Sequence, residues 1–230
     1  MIIKNILILQ MKLIVIANPI HFDQEIFLLI KMFEQGLAYF HLRKPEYSKN
    51  EIEKYIQSIP SIYYNKMVLH SHFELANKYQ LKGIHLNSKS SLSEVERETY
   101  SHLSYSCHTL EEVAKCEKSY DYIFLSPIFD SISKNGYKSH IDIKKIKPFF
   151  KAISSTYPSI SPKIGKNKNE IIALGGIDIA QISQAMELGF NGVAVLGSLW
   201  CGFLKDRNIE KCLEKFNLLK AECLCPVHTY

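Results

Sequence analysis

Hydrophobic residues along the chain form short continuous runs, and polar segments separate these runs at regular intervals. Runs of this kind, rich in β-branched side chains, are typical of parallel strands that are buried on both faces. The pattern predicts eight strands, over residues 13–18, 39–44, 66–70, 83–87, 103–108, 122–128, 171–176 and 192–197.

Amphipathic segments with helical spacing lie between these runs. One of them opens on Ser48, a residue type that caps helix N-termini with its hydroxyl oxygen, and others end on a glycine that favours a helix C-terminus. Helices are predicted over residues 24–36, 48–59, 109–118, 178–189 and 209–223.

The regular alternation of strand and helix in 230 residues predicts an α/β fold, a single (β/α)8 TIM barrel. A doubly wound open sheet is the alternative. We predict an N-terminal extension over 1–10, the barrel over 11–220 and a C-terminal tail over 221–230. A polar stretch at 154–169 reads as a surface loop. Because Met11 opens the first strand segment, translation could start at Met1 or at Met11.

Net charge, cysteine spacing and the length of the apolar stretches indicate which ligands and which cellular compartment to expect. The net charge of +5, without a long run of lysines, favours small anionic ligands over nucleic acid. The six cysteines have no disulfide-framework spacing, and no convincing export signal or stretch of about 18 apolar residues is present. We therefore expect a cytoplasmic protein with reduced thiols and no membrane contact, and a homo-oligomer remains open.

In TIM barrels the active site lies at the C-terminal ends of the strands. Glycines end the last two predicted strands, where backbone N–H groups often bind phosphate, and the helix after Asp178 would direct its N-terminus at the same anion. The alternative is that these glycines only allow the strands to end tightly and do not bind phosphate. The residues predicted at this end are His41, Arg43, Lys44, His70, Ser71, Asn87, Ser90, Ser106, His108, Ser131, Ser133, Lys134, Gly175, Gly176, Gly197 and Ser198.

Two groups of these residues suggest further chemistry. Arg43 and Lys134, together with hydroxyl groups of the sixth loop, would form a second anion site suited to a phosphate or diphosphate. His41 and His70 stand on neighbouring strand ends, where they could ligate a metal or shuttle a proton. The sequence shows no third ligand beside them, so no metal site is assigned, and His85 is expected to be a hydrogen-bonded core histidine.

The segments in this order resemble the thiamine phosphate synthase family, which includes a thiazole tautomerase branch. The resemblance covers about residues 12–200. It rests on "YFHLRKP" (family Q-L-R-E-K), "MVLHSHFELANKYQLKGIHL" (I-N-D-x-x-x-L-A…G-V-H-L), "YSCHTLEEV" (S-x-H-T-x-x-E), "YIFLSPIFDSISK" (G-P-x-x-x-T-x-T-K) and "IIALGGIDIAQISQAMELGFNGVAVLGSL" (A-I-G-G-I…G-A-x-G-V-A-V-I-S-A-I).

The resemblance implies a transferase of thiamine biosynthesis. It would join an aminopyrimidine methyl diphosphate to a thiazole phosphate and release diphosphate. Arg43, Lys134 and Ser106 would be its catalytic contacts to the pyrimidine diphosphate. The substrate-binding residues would be His41, Lys44, His70, Ser131, Ser133, Gly175, Gly176, Leu196 and Gly197.

The family implies Mg²⁺, but Ser71 and Ser90 stand where it has acidic residues. Basic side chains would then neutralise the diphosphate directly. The alternatives are a thiazole tautomerase-like isomerase and a non-catalytic binder of thiazole or thiamine phosphate, neither of which needs the ion. Pro127 stands where the tautomerase branch carries a histidine.

Overall fold

The computed structural model describes residues 11–90, 92–116, 120–130, 132, 139–156 and 169–224. Their strands form a closed parallel barrel in which each strand pairs with its neighbours in chain order and β8 pairs with β1. This confirms the predicted (β/α)8 barrel over the open sheet. The strands are β1 Lys12–Ile16, β2 Tyr39–Leu42, β3 Met67–Leu69, β4 Gly83–Leu86, β5 Leu103–Cys107, β6 Tyr122–Leu125, β7 Glu170–Leu174 and β8 Gly192–Val195.

Helices follow the strands and cover the outside of the barrel. The structure gives them as α1 Glu25–Glu34, α2 Lys49–Gln57, α3 Glu74–Lys78, α4 Glu94–Glu98, α5 Leu110–Ala114, α6 Ile143–Thr156, α7 Ile179–Leu188, α8 Gly197–Asp206 and α9 Ile209–Cys223, with a 3-10 turn at Ser61–Lys66. Among the helices of the described residues, none has both the length and the apolar character that a membrane crossing requires.

The local signals act as the sequence predicts. The Ser48 hydroxyl caps α2 by accepting from the N–H of Glu51, while the Glu51 carboxylate accepts from the N–H of Ser48. Gly189 ends α7 in the left-handed conformation, with φ of 99°. No range was predicted from the sequence for α3, α4, α6 or α8, and α8 begins at a glycine without a side-chain N-cap. α9 ends at Cys223, three residues beyond the predicted end of the barrel.

Alternation along the strands divides the buried side chains into two layers. One set, including Val15 and Phe40, packs between the barrel and the helices. A smaller apolar cluster fills the barrel interior, with Ile14 and Ile16 from β1 against Phe124 from β6. The rest of that interior is polar, and the polar part leads to the C-terminal ends of the strands, where the sequence predicts the site.

Candidate active site

A cavity of about 540 Å³ opens at the C-terminal ends of the strands. Apolar side chains such as Phe124, Leu174 and Ile177 line part of it. Its polar lining consists of Arg43, His70, His85, Asn87, Ser88, Lys89, Ser106, His108 and Ser126. A concave site with a few convergent polar groups is the usual form of a small-molecule binding site.

Two exposed cations lie on the cavity wall. Arg43 follows β2, as the sequence predicts, and Lys89 follows β4. Lys89 was not predicted from the sequence, because it belongs to a polar loop without a motif of its own. The two side chains bring positive charge to the wall from different loops, which suits an anionic ligand.

Lys44 differs from the sequence prediction. Its Nζ atom lies 2.8 Å and 2.6 Å from the two carboxylate oxygens of Glu25, and neither side chain is exposed. Burial lowers the pKa of Lys44 and raises that of Glu25, while the hydrogen bond between them opposes both shifts. The ammonium is therefore already neutralised in the protein and does not line the cavity, so we withdraw it as a substrate-binding group.

Three histidines from neighbouring strands meet in the barrel interior. His70 and His85 line the cavity, whereas His41 is wholly buried beneath them. The Nδ1 atom of His41 lies 2.9 Å from Nε2 of His70, and the ring centres of His70 and His85 are 4.4 Å apart. His41 is therefore shielded from the cavity, and a direct contact between it and a substrate, as predicted, is not available in this arrangement.

Hydroxyl oxygens of neighbouring side chains lie within hydrogen-bond distance of the histidine rings. The Nε2 atom of His41 lies 2.5 Å from the hydroxyl oxygen of Tyr122. His85 is bonded at Nδ1 to the hydroxyl of Ser104 at 2.8 Å and at Nε2 to that of Ser106 at 2.7 Å. His85 is the buried, hydrogen-bonded histidine that the sequence predicts, and Ser106 lies on the cavity wall as expected for a substrate contact.

The imidazoles of the cluster are held neutral by their surroundings. Burial lowers the pKa of His70 to about 3, and the charge of Arg43 acts in the same direction. Burial and the neighbouring histidines lower the pKa values of His41 and His85 well below the usual range. Each ring therefore keeps one nitrogen lone pair free to accept a hydrogen bond at neutral pH.

The glycine-rich ends of β7 and β8 lie on the opposite wall. Gly175, Gly176, Leu196 and Gly197 all line the cavity. Gly176 has φ of 65°, and a Cβ atom there would lie 2.2 Å from the carbonyl oxygen of Asp130. The close contact at Gly176 agrees with glycines that close the strand ends tightly, and phosphate binding by the backbone at this wall stays a prediction.

The helix whose first residue lines the cavity is α8, whereas no residue of α7 does. The sequence predicts this role for the helix after Asp178, but the Asp178 carboxylate itself caps α7 and forms an ion pair with Lys215 at 2.5 Å. α8 begins at Gly197 on the cavity wall without a side-chain cap. Its first N–H groups and its positive dipole end are therefore the ones suited to an anion.

The ligands for a hard cation are sparse here. None of the described residues that line the cavity is a carboxylate. The Ser90 hydroxyl accepts from the N–H of Asn87, and the Asn87 side-chain oxygen accepts from the N–H of Lys89, so both groups are used within one turn. Mg²⁺ binds through oxygen ligands that usually include carboxylates, and the described wall does not fit it.

Part of the predicted site lies outside the described residues. This applies to Ser131, Ser133 and Lys134. Ile132 between them is described and lines the cavity.

Comparison with known proteins shows which sequences and structures this chain resembles. The family model described as thiamine monophosphate synthase matches residues 13–199. A thiamine-phosphate synthase of Latilactobacillus sakei is 25% identical over 174 residues, which cover 74% of this chain and 70% of that protein. The crystal structure of a thiamine phosphate pyrophosphorylase from Bacteroides thetaiotaomicron is 34% identical, with a TM-score of 0.75, and the match covers 92% of this chain and 97% of that one.

A second solved structure resembles this chain in fold at a lower sequence identity. The thiamine phosphate pyrophosphorylase from Pyrococcus furiosus is 17% identical, with a TM-score of 0.69, and the match covers 94% of this chain and 98% of that one. At this identity the likeness concerns the barrel alone. The family match over most of the barrel is the wider finding, and it shows that this chain belongs to the thiamine monophosphate synthase family.

Proposed function

We propose that the chain joins an aminopyrimidine methyl diphosphate to a thiazole phosphate and releases diphosphate, as the synthases of its family do. The observation that carries the proposal is a single cavity with two anion-binding walls. Arg43 and Lys89 lie on one wall, and Gly176 and the N-terminus of α8 lie on the other. Two phosphorylated substrates that must react with each other need two such walls.

The glycine wall suits the thiazole phosphate. At Gly176 and Gly197 no side chain stands between the backbone and the cavity, and the N-terminus of α8 adds a partial positive charge. Ser198, the next residue of α8, has a buried hydroxyl oxygen without a hydrogen-bond partner among the described residues. The resemblance adds the hydroxyls of Ser131 and Ser133 as further donors to this phosphate.

The basic wall suits the diphosphate. Arg43 can donate two parallel hydrogen bonds to phosphate oxygens, Lys89 adds a point charge, and Ser106 adds a hydroxyl. The resemblance adds Lys134 to this set. The family generally uses Mg²⁺, but the described donors do not fit that ion, so the leaving group would be neutralised by these side chains and no step is assigned to the metal.

The reaction breaks the bond between the pyrimidine methylene carbon and the diphosphate oxygen, whose electron pair leaves with the diphosphate. The thiazole nitrogen then donates its lone pair to the methylene carbon and forms the new C–N bond. The protein contributes by holding both partners in line and by stabilising the charge that develops on the leaving group. The apolar wall around Phe124 and Leu174 limits the access of water to the cationic carbon.

The test is thiamine phosphate formation from the two substrates, measured with Mg²⁺ and with a chelator. We expect turnover under both conditions and a loss of about 10- to 150-fold in kcat/KM in Arg43→Ala, the range for removing a hydrogen bond to a charged group. Lys151→Ala removes an exposed charge from α6 and is the matched control. Saturable binding of thiazole phosphate without turnover would contradict the proposal and leave a non-catalytic binder.

A further inference from the structure

His41, His70 and His85 bring one ring nitrogen each to within 4.8 Å of the others. Only His41 and His70 are predicted as neighbours from the sequence, so no metal site was assigned from it. The third comes from β4, the next strand around the barrel. Three imidazoles with one open position are a common ligand set for Zn²⁺ and similar ions.

We propose that this cluster binds one divalent first-row transition ion, of the Zn²⁺, Co²⁺ or Ni²⁺ class. Nitrogen ligands suit these ions, whereas Mg²⁺ requires oxygen ligands. The ion proposed here takes part in no step of the reaction proposed above, although His70 and His85 line the same cavity.

The contacts on the outer side of the rings support the assignment of ligand atoms. A metal-bound histidine usually donates its other N–H to an oxygen, which fixes the ring. Tyr122 is placed to accept from Nε2 of His41, which leaves Nδ1 directed at His70. Ser104 is placed to accept from Nδ1 of His85 and itself donates to the carbonyl oxygen of Ile84.

The inner nitrogens are the ones that an ion would bridge. Nδ1 of His41 and Nε2 of His70 now share one hydrogen bond, and Nε2 of His85 is bonded to Ser106. An ion would replace the shared proton, which moves to the outer nitrogen of one ring, so the imidazoles stay neutral. The Ser106 hydroxyl would then be released to a molecule in the cavity.

Binding of an ion requires small movements of the three imidazole rings. Ligand atoms around a tetrahedral ion with metal–nitrogen bonds of 2.0–2.1 Å lie about 3.4 Å apart. The pair at 2.9 Å must therefore open slightly while the wider pairs close. The rings of His70 and His85 are stacked with 27° between their planes, and an ion lies in the plane of each ring that binds it. His70 is the partly exposed member at the cavity, so its ring is the one expected to turn.

The first experiment is a titration of chelator-treated protein, free of any histidine tag, with Co²⁺. We expect the intense visible bands of four-coordinate Co²⁺ to saturate at one ion per chain. Zn²⁺ should displace them, and a large excess of Mg²⁺ should not. X-ray absorption of the zinc-loaded wild-type protein should count three imidazoles, a measurement that needs no variant to fold. Absent bands, or a coordination shell with fewer than three imidazoles, would overturn the proposal.

Variants locate the ion. His70→Ala should weaken Co²⁺ binding at least about 10-fold, because a lost ligand costs no less than a lost outer-shell partner. His108→Ala changes a histidine on the same cavity wall outside the cluster and should bind as wild type. Arg43→Ala should bind Co²⁺ at least as tightly as wild type while losing turnover, which separates this proposal from the proposed reaction. Equal binding in His70→Ala and wild type would place the ion elsewhere.

Discussion

Lys44 and Glu25 form a bidentate ion pair in which neither side chain is exposed, and Arg43, the residue before Lys44, lines the cavity. Arg43 and Lys44 point to opposite sides, as successive residues in extended backbone do. The rings of Tyr47 and Tyr55 lie 5.7 Å and 5.6 Å from the Lys44 ammonium. The pair thus fixes the segment that presents Arg43.

We expect Lys44→Met to lower the free energy of unfolding by about 3–5 kcal/mol, because it leaves the Glu25 carboxylate buried without its partner. The double variant Glu25→Leu/Lys44→Met should lose much less than the sum of the single changes, since no buried charge remains. Chemical denaturation of the four proteins measures both effects.

The exposed pair Lys31–Glu34 is the control for this cycle. Its atoms are 2.8 Å apart, yet both side chains are about 40% exposed or more. Lys31→Met should change stability by less than about 1 kcal/mol. Equal effects of Lys31→Met and Lys44→Met would show that burial does not govern the strength of these pairs.

The barrel was predictable from the sequence because short stretches of the chain determine its strands and its helix ends. Each buried strand is a continuous apolar run, and Ser48 and Gly189 mark helix ends through their own backbone interactions. The burial of the Lys44 side chain was not predictable from the sequence, because its partner Glu25 lies 19 residues earlier, on another element. A basic residue next to Arg43 looks the same in sequence whether it faces the cavity or the helical shell.

The same reasoning applies to the histidines. His41 and His70 were recognised as neighbours because adjacent parallel strands place their ends together. His85 was assigned to the core, and its burial agrees with that, but only the three-dimensional arrangement brings its ring 4.4 Å from that of His70. Strand order alone gives neighbours in the sheet, whereas the depth of each ring in the barrel depends on register and twist.

Gly176→Ala should destabilise the protein by at least about 1–3 kcal/mol, because φ of 65° is strained for alanine and the new methyl group would meet the Asp130 carbonyl at 2.2 Å. It should also weaken thiazole phosphate binding by displacing backbone at the cavity. Thermal unfolding and calorimetric titration measure the two effects.

Gly202→Ala is the matched control for this substitution. Gly202 lies inside α8, and a Cβ atom there meets nothing within 4 Å. We expect it to be neutral or to stabilise by up to about 1 kcal/mol, since alanine favours helix interiors. A Gly176→Ala protein as stable as the Gly202→Ala protein would contradict the tight contact between the sixth and seventh loops.

Ser48→Ala should cost about 1 kcal/mol of stability at neutral pH, because it removes the N-cap of α2. The effect should depend on pH. Hydrogen bonds from the Ser48 side chain and backbone lower the pKa of Glu51, so their contribution is present above the ordinary glutamate pKa. It is lost as the pH falls through the lowered value. The stability difference between wild type and Ser48→Ala, measured by denaturation from neutral to acidic pH, should therefore shrink.

Lys89→Ala should raise the KM for the aminopyrimidine diphosphate by about two- to fivefold, the range for one exposed charge pair. Lys89 is exposed on the cavity wall, so solvent ions screen it, and the difference from wild type should largely disappear near 1 M salt, where the Debye length is about 3 Å. Lys115→Ala removes the same charge from an exposed position after α5, outside the cavity lining, and should leave the KM unchanged at any salt concentration.

The salt dependence separates Lys89 from Arg43. Arg43 is proposed to donate two hydrogen bonds directly to the substrate, so the defect of Arg43→Ala should persist at high salt, whereas the defect of Lys89→Ala should fade. If both defects fade together, Arg43 acts only through its charge, and the directional hydrogen bonds assigned to its guanidinium are wrong. If neither fades, Lys89 contacts the diphosphate directly, and the basic wall binds its ligand as one desolvated surface.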